Sequence, residues 1–365
     1  MCGITGIFDT RDMSDISREL LHRMNETQFH RGPDEGGLHV EPGVGLGHRR
    51  LSIIDLSTGQ QPLYNEDQSV VVVFNGEIYN FQELVPELEA LGHVFRTHSD
   101  TEVIVHAWEA WGEACVARFR GMFAFALWDR NQETLFVVRD RFGVKPLYYA
   151  FLETGEFIFG SELKSLMMHP CLTREIDPLA VEEYFAYGYI PEPRTIFKGA
   201  CKLPPGFTLT LKRGKPRALP RQYWDMPFTP VLVKDEASAA EELVERMQES
   251  IRLRMIADVP LGAFLSGGVD SSAVVAMMAT QSTTPVNTCS IGFDDPAFNE
   301  IDYAQQVADR YHTQHHVETV ASNDFDLVDK LARVYDEPYA DSSALPTYRV
   351  CELARKHVKV ALSGD

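Results

Sequence analysis

The six cysteines of this 365-residue sequence lie far apart, and none belongs to a Cys-x-x-Cys pair. This scatter lacks the spacing of a zinc ribbon or a redox motif, and it does not form a disulfide framework. No apolar run approaches the roughly 20 residues that a membrane span needs. The first residues also lack the basic start and apolar block of a signal peptide. We therefore expect a cytoplasmic protein with reduced thiols.

Basic residues are scarce: 34 lysines and arginines stand against 53 aspartates and glutamates, which gives a formal net charge of −19. This charge argues against nucleic acid or an anionic membrane as a partner. A nucleotide is still compatible, because the backbone amides of one loop can hold phosphates within an acidic protein. The length predicts two domains.

Short candidate strands fill the first half of the sequence. They combine β-branched or aromatic residues with intervening turn residues, and they lie at Gly3–Phe8, Val70–Phe74, Met122–Trp128, Thr134–Arg139, Leu147–Ala150 and Glu156–Phe159. One helix is predicted after Asn80, which would form a capping box with Glu83, and another after Ser99-Asp100. Strands that mostly follow one another, with helices around them, favour an α+β sandwich.

The second half has a different pattern, which begins after a cluster of prolines between Ile190 and Pro230. We predict a first domain over residues 2–212, a linker over 213–235 and a second domain over 236–365. A capping box of Ser238 and Glu241 would start the second domain. Strands then alternate with helices up to a strand at Val358–Leu362, which predicts an α/β domain with a doubly wound parallel sheet.

A serine- and glycine-rich loop, Ser266–Ser272, lies between a predicted strand and a predicted helix. Its glycines let the backbone approach an anion, and the helix offers free N–H groups and its positive dipole end. Asp270 can hold Mg²⁺. The loop is not a Walker A motif, and the alternative is a plain turn before a capped helix. The predicted ATP-binding residues are Leu265, Ser266, Gly267, Gly268, Asp270, Ser271, Ser272, Ile291, Ser363 and Gly364.

The last predicted strand ends in Ser363-Gly364-Asp365. Loops at the carboxyl ends of parallel strands converge on one crevice, so we expect Ser363 and Gly364 to face the same nucleotide. The sequence stops just past this strand, and we expect a further loop and more sheet beyond Asp365.

Cys2 directly follows the initiator methionine, and so small a residue permits that methionine to be removed. The mature chain would then carry a thiol and a free α-amine on one residue. The ordinary pKa of such an amine is near 8, so a fraction is unprotonated at neutral pH and can act as a base. The alternative is an ordinary buried cysteine at the start of a strand.

Several segments of the first half resemble the class II glutamine amidotransferases, which are N-terminal-nucleophile hydrolases with an αββα fold. The segments are Cys2–Ile4, His30–Asp34, Gly47–Asp55, Phe74–Asn80, Ser99–Glu102, Arg139–Tyr149 and Ser161–Lys164. Together with Ser266–Ser272, nearly the whole chain resembles the glutamine-hydrolysing asparagine synthetases, whose second domain is of the PP-loop ATP pyrophosphatase type.

The resemblance implies that Cys2 attacks the side-chain amide of glutamine, with Asn75 and Gly76 as oxyanion donors. It implies that Arg50 binds the α-carboxylate and that Asp100 and Glu77 bind the α-ammonium. The full glutamine-binding set would be Arg50, Leu51, Ser52, Ile53, Ile54, Asn75, Gly76, Glu77 and Asp100. Taken alone, Arg50 is typical of a surface ion pair and Asp100 of a helix N-cap.

For the reaction, the resemblance implies an ATP-dependent carbon–nitrogen ligase of asparagine biosynthesis. ATP with Mg²⁺ would adenylate the side-chain carboxylate of aspartate, and ammonia released at Cys2 would displace AMP to give asparagine. Asp365 lies where the family has an acidic residue tied to forming the acyl-adenylate. Two alternatives stay open: amidation of another carboxylate, such as a polysaccharide uronic acid, and a non-catalytic nucleotide-binding scaffold. The sequence is also compatible with a homodimer.

Overall fold

The chain folds into two compact units, which a computed structural model describes over residues 1–215, 218–229, 235–295, 299–320 and 327–364. The first unit comprises Met1–Pro227 with Asp336–Ala340, and the second comprises Phe228–Tyr335 with Asp341–Asp365. Among the described residues, no helix has both the length and the apolar character that crossing a membrane requires.

The first unit is built on two antiparallel sheets, with strand orders β10-β8-β9-β1-β3-β2 and β12-β11-β7-β6-β5-β4. Its elements are β1 (Gly3–Asp9), α1 (Arg18–Glu26), β2 (Glu35–Glu41), β3 (Val44–Arg50), β4 (Leu63–Tyr64), β5 (Val70–Ile78), α2 (Phe81–Ala90), α3 (Glu102–Trp111), a 3₁₀ helix (Gly112–Ala117), β6 (Gly121–Asp129), β7 (Thr134–Arg139), β8 (Tyr148–Phe151), β9 (Glu156–Gly160), α4 (Leu163–Met167), α5 (Pro178–Tyr187), β10 (Cys201–Lys202), β11 (Phe207–Lys212) and β12 (Arg221–Gln222).

The two sheets pack face to face, and side-chain alternation along each strand decides what each face contacts. In β1, Ile4 and Phe8 join the core between the sheets, where Trp128 of the opposite sheet also lies. Ile7 points the other way and packs with Leu21 of α1 in a second core. Helices cover the outer faces, so the unit is the predicted αββα sandwich.

Two predicted helix caps are wrong. Asn80 precedes α2 but makes no side-chain cap, because its amide donates to Arg118 O at 3.0 Å and accepts from Arg120 N at 2.8 Å. In the second unit the first helix starts at Glu236 and is capped by Asp235. Ser238, predicted as the cap, instead lies in the first turn and donates its backbone N–H to Asp235.

The second unit contains a four-stranded sheet of order β15-β14-β13-β16 in which all the described pairings are parallel. Helices pack on both faces, as a doubly wound sheet requires: α6, α7 and α8 on one and α10 on the other. The elements are α6 (Glu236–Arg254), β13 (Leu261–Phe264), α7 (Val269–Gln281), β14 (Asn287–Phe293), α8 (Ile301–Tyr311), β15 (Gln314–Val320), α9 (Val328–Val334), α10 (Ala344–Ala354) and β16 (Val360–Leu362).

Packing between the sheets of the first unit is tested by Phe8→Ala. Phe8 is fully buried, and its ring centroid lies 5.5 Å from that of Trp128. We expect the free energy of unfolding of this unit to fall by about 3–5 kcal/mol. The four tryptophans, Trp108, Trp111, Trp128 and Trp224, all lie in the first unit, so urea unfolding followed by their fluorescence reports on it alone. Phe185→Ala is the control, because Phe185 is 82% exposed. Equal losses in the two variants would contradict the assigned core.

Candidate functional site

Cys2 lies directly before β1, and the first residue of that strand, Gly3, pairs with Arg49 of β3. This pairing brings the Cys2 thiol next to the backbone of Leu51, with Sγ 3.4 Å from the amide nitrogen and 3.7 Å from the carbonyl oxygen. The carbonyl of Cys2 accepts a hydrogen bond from Arg31 Nε at 2.9 Å. Leu51 thus positions the thiol of Cys2, and Arg31 positions its backbone.

The electrostatics around Cys2 favour a neutral thiol and a neutral amine. Burial raises the pKa of the Cys2 thiol above its ordinary value, although the nearby α-amino group opposes this. Burial also lowers the pKa of the α-amine of Met1 to about 5. An amine at this end of β1 is therefore unprotonated at neutral pH and can accept a proton. A thiol with a raised pKa needs such a base in order to react as a thiolate.

A cleft opens beside Cys2 and collects most of the residues predicted to bind glutamine. Its lining consists of Cys2, Arg50, Leu51, Ile53, Ile54, Gly59, Gln61, Phe74, Gly76, Glu77, Ser99, Asp100 and Thr101. Ser52 and Asn75, also predicted contacts, do not line it. Ser52 is buried, and its backbone N–H donates to Asp34 Oδ2 at 2.9 Å.

Arg50 is only 4% exposed, at the end of β3. Its Nη1 donates to Glu35 Oε2 at 3.1 Å, and its Nη2 donates to the carbonyls of Ile54 at 3.1 Å and Asp55 at 2.6 Å. The alternative reading of Arg50 as a surface ion pair is therefore wrong. A guanidinium fixed by carbonyls at the wall of a cleft is suited to binding a carboxylate.

Asn75 is fully buried in β5, and within the described residues neither atom of its amide group has a hydrogen-bond partner. A buried polar group without a partner costs about 1–3 kcal/mol. The next residue, Gly76, has no room for a side chain, since a Cβ there would lie 2.3 Å from Met122 O. Asn75 thus has an unpaired amide directly before Gly76, which lines the cleft.

Two carboxyl groups, those of Glu77 and Asp100, also line the cleft and lie close enough to interact electrostatically. Burial and the nearby Asp100 carboxylate raise the pKa of Glu77 well above its ordinary value. Burial raises the pKa of Asp100 to about 6, although its Oδ2 accepts the backbone N–H of Ile78 at 2.8 Å. Because the cap of α3 is Thr101, the N-cap reading of Asp100 is wrong. An ammonium group bound here would relieve the repulsion between the carboxylates.

The second unit brings the predicted nucleotide-binding residues together at the carboxyl ends of β13 and β16. A cavity of about 690 Å³ is lined by Phe264, Leu265, Ser266, Gly268, Asp270, Ser271, Cys289, Ser290, Ile291, Phe293, Glu300, Ile301, Ala304, Ser343, Pro346, Thr347, Val350, Ser363 and Gly364. This volume is in the range of small-molecule sites. Gly267 and Ser272 are not in the lining, and Asp365 lies outside the described residues.

The loop before α7 is shaped by its own hydroxyls and glycines. Ser266 Oγ lies 3.0 Å from Ser271 Oγ and accepts the N–H of Gly268 at 3.3 Å. Gly267 has a φ of +88°, and a Cβ there would lie 2.6 Å from Tyr303 Cβ. The N-cap of α7, Gly268, provides no side-chain acceptor, so the N–H groups of the first turn are available to an anion.

Comparisons with known families also divide the chain into two parts. The family model described as "Glutamine amidotransferase domain" matches residues 1–224, and the one described as "Asparagine synthase" matches residues 242–365. Among curated relatives, glutamine-hydrolysing asparagine synthetase 1 of Bacillus subtilis is 38% identical over all of this chain and 57% of its own length. A relative from Methanocaldococcus jannaschii is 40% identical over all of this chain and 74% of its own length. It is named provisionally as glutamine-hydrolysing asparagine synthetase 2.

The chain belongs to the glutamine-hydrolysing asparagine synthetase family. It spans little more than half the length of the first relative and about three quarters of the second. A solved structure, the glutamine phosphoribosylpyrophosphate amidotransferase of B. subtilis, is similar over 93% of this chain and 94% of its own, with 14% identity and a TM-score of 0.45.

Some residues of this family member that shape the site had no assigned role in the sequence. His48 is fully buried, and burial lowers its pKa to about 3. Nε2 of its neutral ring lies 3.0 Å from Phe74 O. This contact joins β3 to β5 directly before Asn75. Lys145 is also buried, and burial lowers the pKa of its ammonium group below the ordinary value. Both belong to segments that carried the resemblance, but only the folded structure assigns them contacts.

The carboxylate pair predicts a pH dependence for glutamine binding. An ammonium needs the charged carboxylates, so kcat/KM for glutamine should fall as the pH drops through about 6, where Asp100 becomes protonated. Asp100→Asn should lower kcat/KM at pH 8 by at least about 10-fold. It should also shift the acid limb of the pH profile of kcat/KM to lower pH, because the Asp100 carboxylate no longer raises the pKa of Glu77. The measurement is glutamate release from pH 5 to 8, with Asp15→Asn, an exposed carboxylate of the first unit, as control. An unchanged acid limb in Asp100→Asn would rule out this pair as the ammonium site.

Proposed function

We propose that this chain carries the glutaminase and ATP-binding parts of a glutamine-dependent asparagine synthetase. The observation that carries the proposal is the charge pattern of the cleft beside Cys2. A fixed guanidinium, Arg50, and a carboxylate pair, Glu77 and Asp100, line the same cleft as the thiol. An α-amino acid has a carboxylate and an ammonium at one end, and glutamine carries its amide at the other, where a nucleophile can reach it.

In this proposal, Cys2 attacks the amide carbon of glutamine to form an acyl intermediate, a thioester, and releases ammonia; water then hydrolyses the thioester to glutamate and frees the thiol. Removal of Met1 would give Cys2 its own α-amine, and the environment that lowers the pKa of the Met1 amine to about 5 would keep the new amine neutral. That amine takes the thiol proton and passes it to the leaving ammonia. Asn75 and the backbone N–H of Gly76 would stabilise the tetrahedral oxyanion, a role typically worth about 10²–10³ in rate per donor.

The second unit would use ATP to activate a carboxylate. The N-terminus of α7 and the loop Ser266–Gly268 would bind the phosphates, and Asp270 in the first turn of α7 would hold a Mg²⁺ ion on them. Adenylation releases pyrophosphate, and ammonia then displaces AMP to form the amide. We propose asparagine as the product because the relatives' names give asparagine synthesis with glutamine hydrolysis, and aspartate as the acceptor because asparagine is the amide of its side-chain carboxylate. Asp365, outside the described residues, is proposed to assist the adenylation.

The glutaminase half of the proposal predicts the effect of Cys2→Ala. Without the thiol there is no acyl intermediate, so glutamate release should fall by at least about 10³-fold. Tryptophan fluorescence should show the same unfolding transition as in the wild type. Cys171→Ala is the matched control, because Cys171 is an exposed free thiol. Glutamine hydrolysis at the wild-type rate in Cys2→Ala would mean that the nucleophile is misassigned.

The ATP half predicts the effect of Asp270→Asn. Loss of a magnesium ligand should weaken binding of Mg·ATP by about 10-fold or more, while ATP binding in EDTA and glutaminase activity stay unchanged. Calorimetric titration of ATP with and without Mg²⁺ measures this difference. The control is Asp302→Asn, which removes an exposed carboxylate from the equivalent first turn of α8. If both variants bind Mg·ATP like the wild type, Asp270 does not hold the metal.

A further inference from the structure

A second group of titratable side chains lies in the first unit, outside the cleft. Glu66, His93, His106 and Glu109 each direct one nitrogen or oxygen atom to a common point, with all four atoms within 4.8 Å of one another. The residues come from three segments: the turn between β4 and β5, the connection from α2 to α3, and α3 itself. The glutaminase chemistry proposed above uses none of them.

The distances within this cluster are longer than those of ordinary hydrogen bonds. His93 Nδ1 lies 3.4 Å from Glu66 Oε1 and 3.8 Å from Glu109 Oε2. His106 Nδ1 lies 3.5 Å from Glu66 Oε2 and 3.6 Å from Glu109 Oε2. N–H···O bonds span about 2.7–3.2 Å. By contrast, zinc–ligand bonds of about 2.0–2.1 Å in a tetrahedron place the ligand atoms about 3.3–3.4 Å apart.

His106 provides an independent observation. Its side chain has no exposed surface, and both ring nitrogens face carboxylate oxygens at 3.5–3.6 Å, which is longer than an ordinary hydrogen bond. Nδ1 points at the two carboxylates of the cluster, and Nε2 lies 3.5 Å from Glu102 Oε1. A carboxylate behind the second nitrogen is the usual way in which a metal-binding imidazole is oriented.

The carboxylates of the cluster are also oriented by their neighbours. Glu109 Oε1 accepts a hydrogen bond from Asn65 Nδ2 at 2.8 Å, which leaves Oε2 facing the histidines. Glu66 Oε1 accepts the backbone N–H of Val94 at 2.9 Å. Glu66 is half-buried and Glu109 is exposed, so an ion can enter from solvent. The arrangement combines converging ligand atoms, supporting contacts and an entry path.

We propose that Glu66, His93, His106 and Glu109 bind one zinc ion. Two imidazoles and two carboxylates suit zinc, whereas Mg²⁺ and Ca²⁺ prefer all-oxygen sites. Two carboxylate charges neutralise the ion. The protein supplies all four ligands, which is the pattern of a structural site. The ion would therefore join the β4–β5 turn to α3 and to the connection that precedes it, and so stabilise the first unit.

The first experiment uses the wild-type chain after its thiols have been alkylated, so that Cys171 and Cys351, which are exposed, do not bind metal. Metal is stripped with a chelator, and zinc is titrated back. We expect one zinc per chain, a rise in the thermal midpoint of the tryptophan-detected transition, and no effect of Mg²⁺ at the same concentration. Co²⁺ should give the intense visible absorption of a four-coordinate site. Zinc well below one per chain, or a Co²⁺ spectrum of six-coordinate type, would overturn the proposal.

The second experiment compares ligand variants with matched controls. His93→Gln and Glu109→Gln should each weaken zinc binding by at least about 10-fold, and Glu109→Gln keeps an acceptor for Asn65. His22→Gln and Glu19→Gln, which change α1 on the other sheet, should bind zinc like the wild type. Circular dichroism of the metal-free proteins shows whether each variant is folded. If both ligand variants fold and bind zinc with wild-type affinity, the ion binds elsewhere and the site does not exist.

Discussion

The antiparallel pairing of β1 with β3 is the interaction on which the proposed glutamine site depends. β1 lies inside its sheet, paired on one side with β3 and on the other with β9, so its position is fixed along its whole length. Cys2 therefore has little freedom, although it lies next to the start of the chain. The same pairing sets where β3 ends, and with it Arg50 and the backbone of Leu51 against the thiol. His48 then connects β3 to β5 across the two sheets.

This scaffold holds polar groups that are unfavourable in the absence of a ligand. Asn75 has a buried amide without a partner among the described residues, and Glu77 and Asp100 repel each other under burial. Such groups lower stability, but in the proposed reaction each would gain a partner: the ammonium of glutamine for the carboxylates, and the oxyanion of the tetrahedral intermediate for the amide. The proposed glutamine site would thus be arranged before glutamine binds, as catalysis by fixed dipoles requires.

The sequence predicts strands well where they are apolar and poorly where they are not. The sequence does not predict β2 and β3, because glycines and the charged pair Arg49-Arg50 interrupt their alternation; in the structure the arginines donate to the carbonyls of Gly32 and Asp55 and to the half-buried carboxylate of Glu35. β11 was missed because it lies among prolines. Motifs predict most of the cleft lining, because the residues of each motif are neighbours in the sequence. The four residues of the proposed zinc site are spread over 44 positions, from Glu66 to Glu109, and only folding brings them together.

The proposed glutamine and ATP sites would bind their charged ligands by different means, and the difference follows from the acidity of the chain. Glutamine is a zwitterion, and side chains of both signs, Arg50 and the Glu77–Asp100 pair, can match it in a narrow cleft. ATP carries several negative charges, and a protein with a net charge of −19 repels it at long range. The N-terminus of α7 offers backbone N–H groups that need no cationic side chain. A magnesium ion on Asp270 would then convert one of the chain's own carboxylates from a source of repulsion into a bridge to the phosphates.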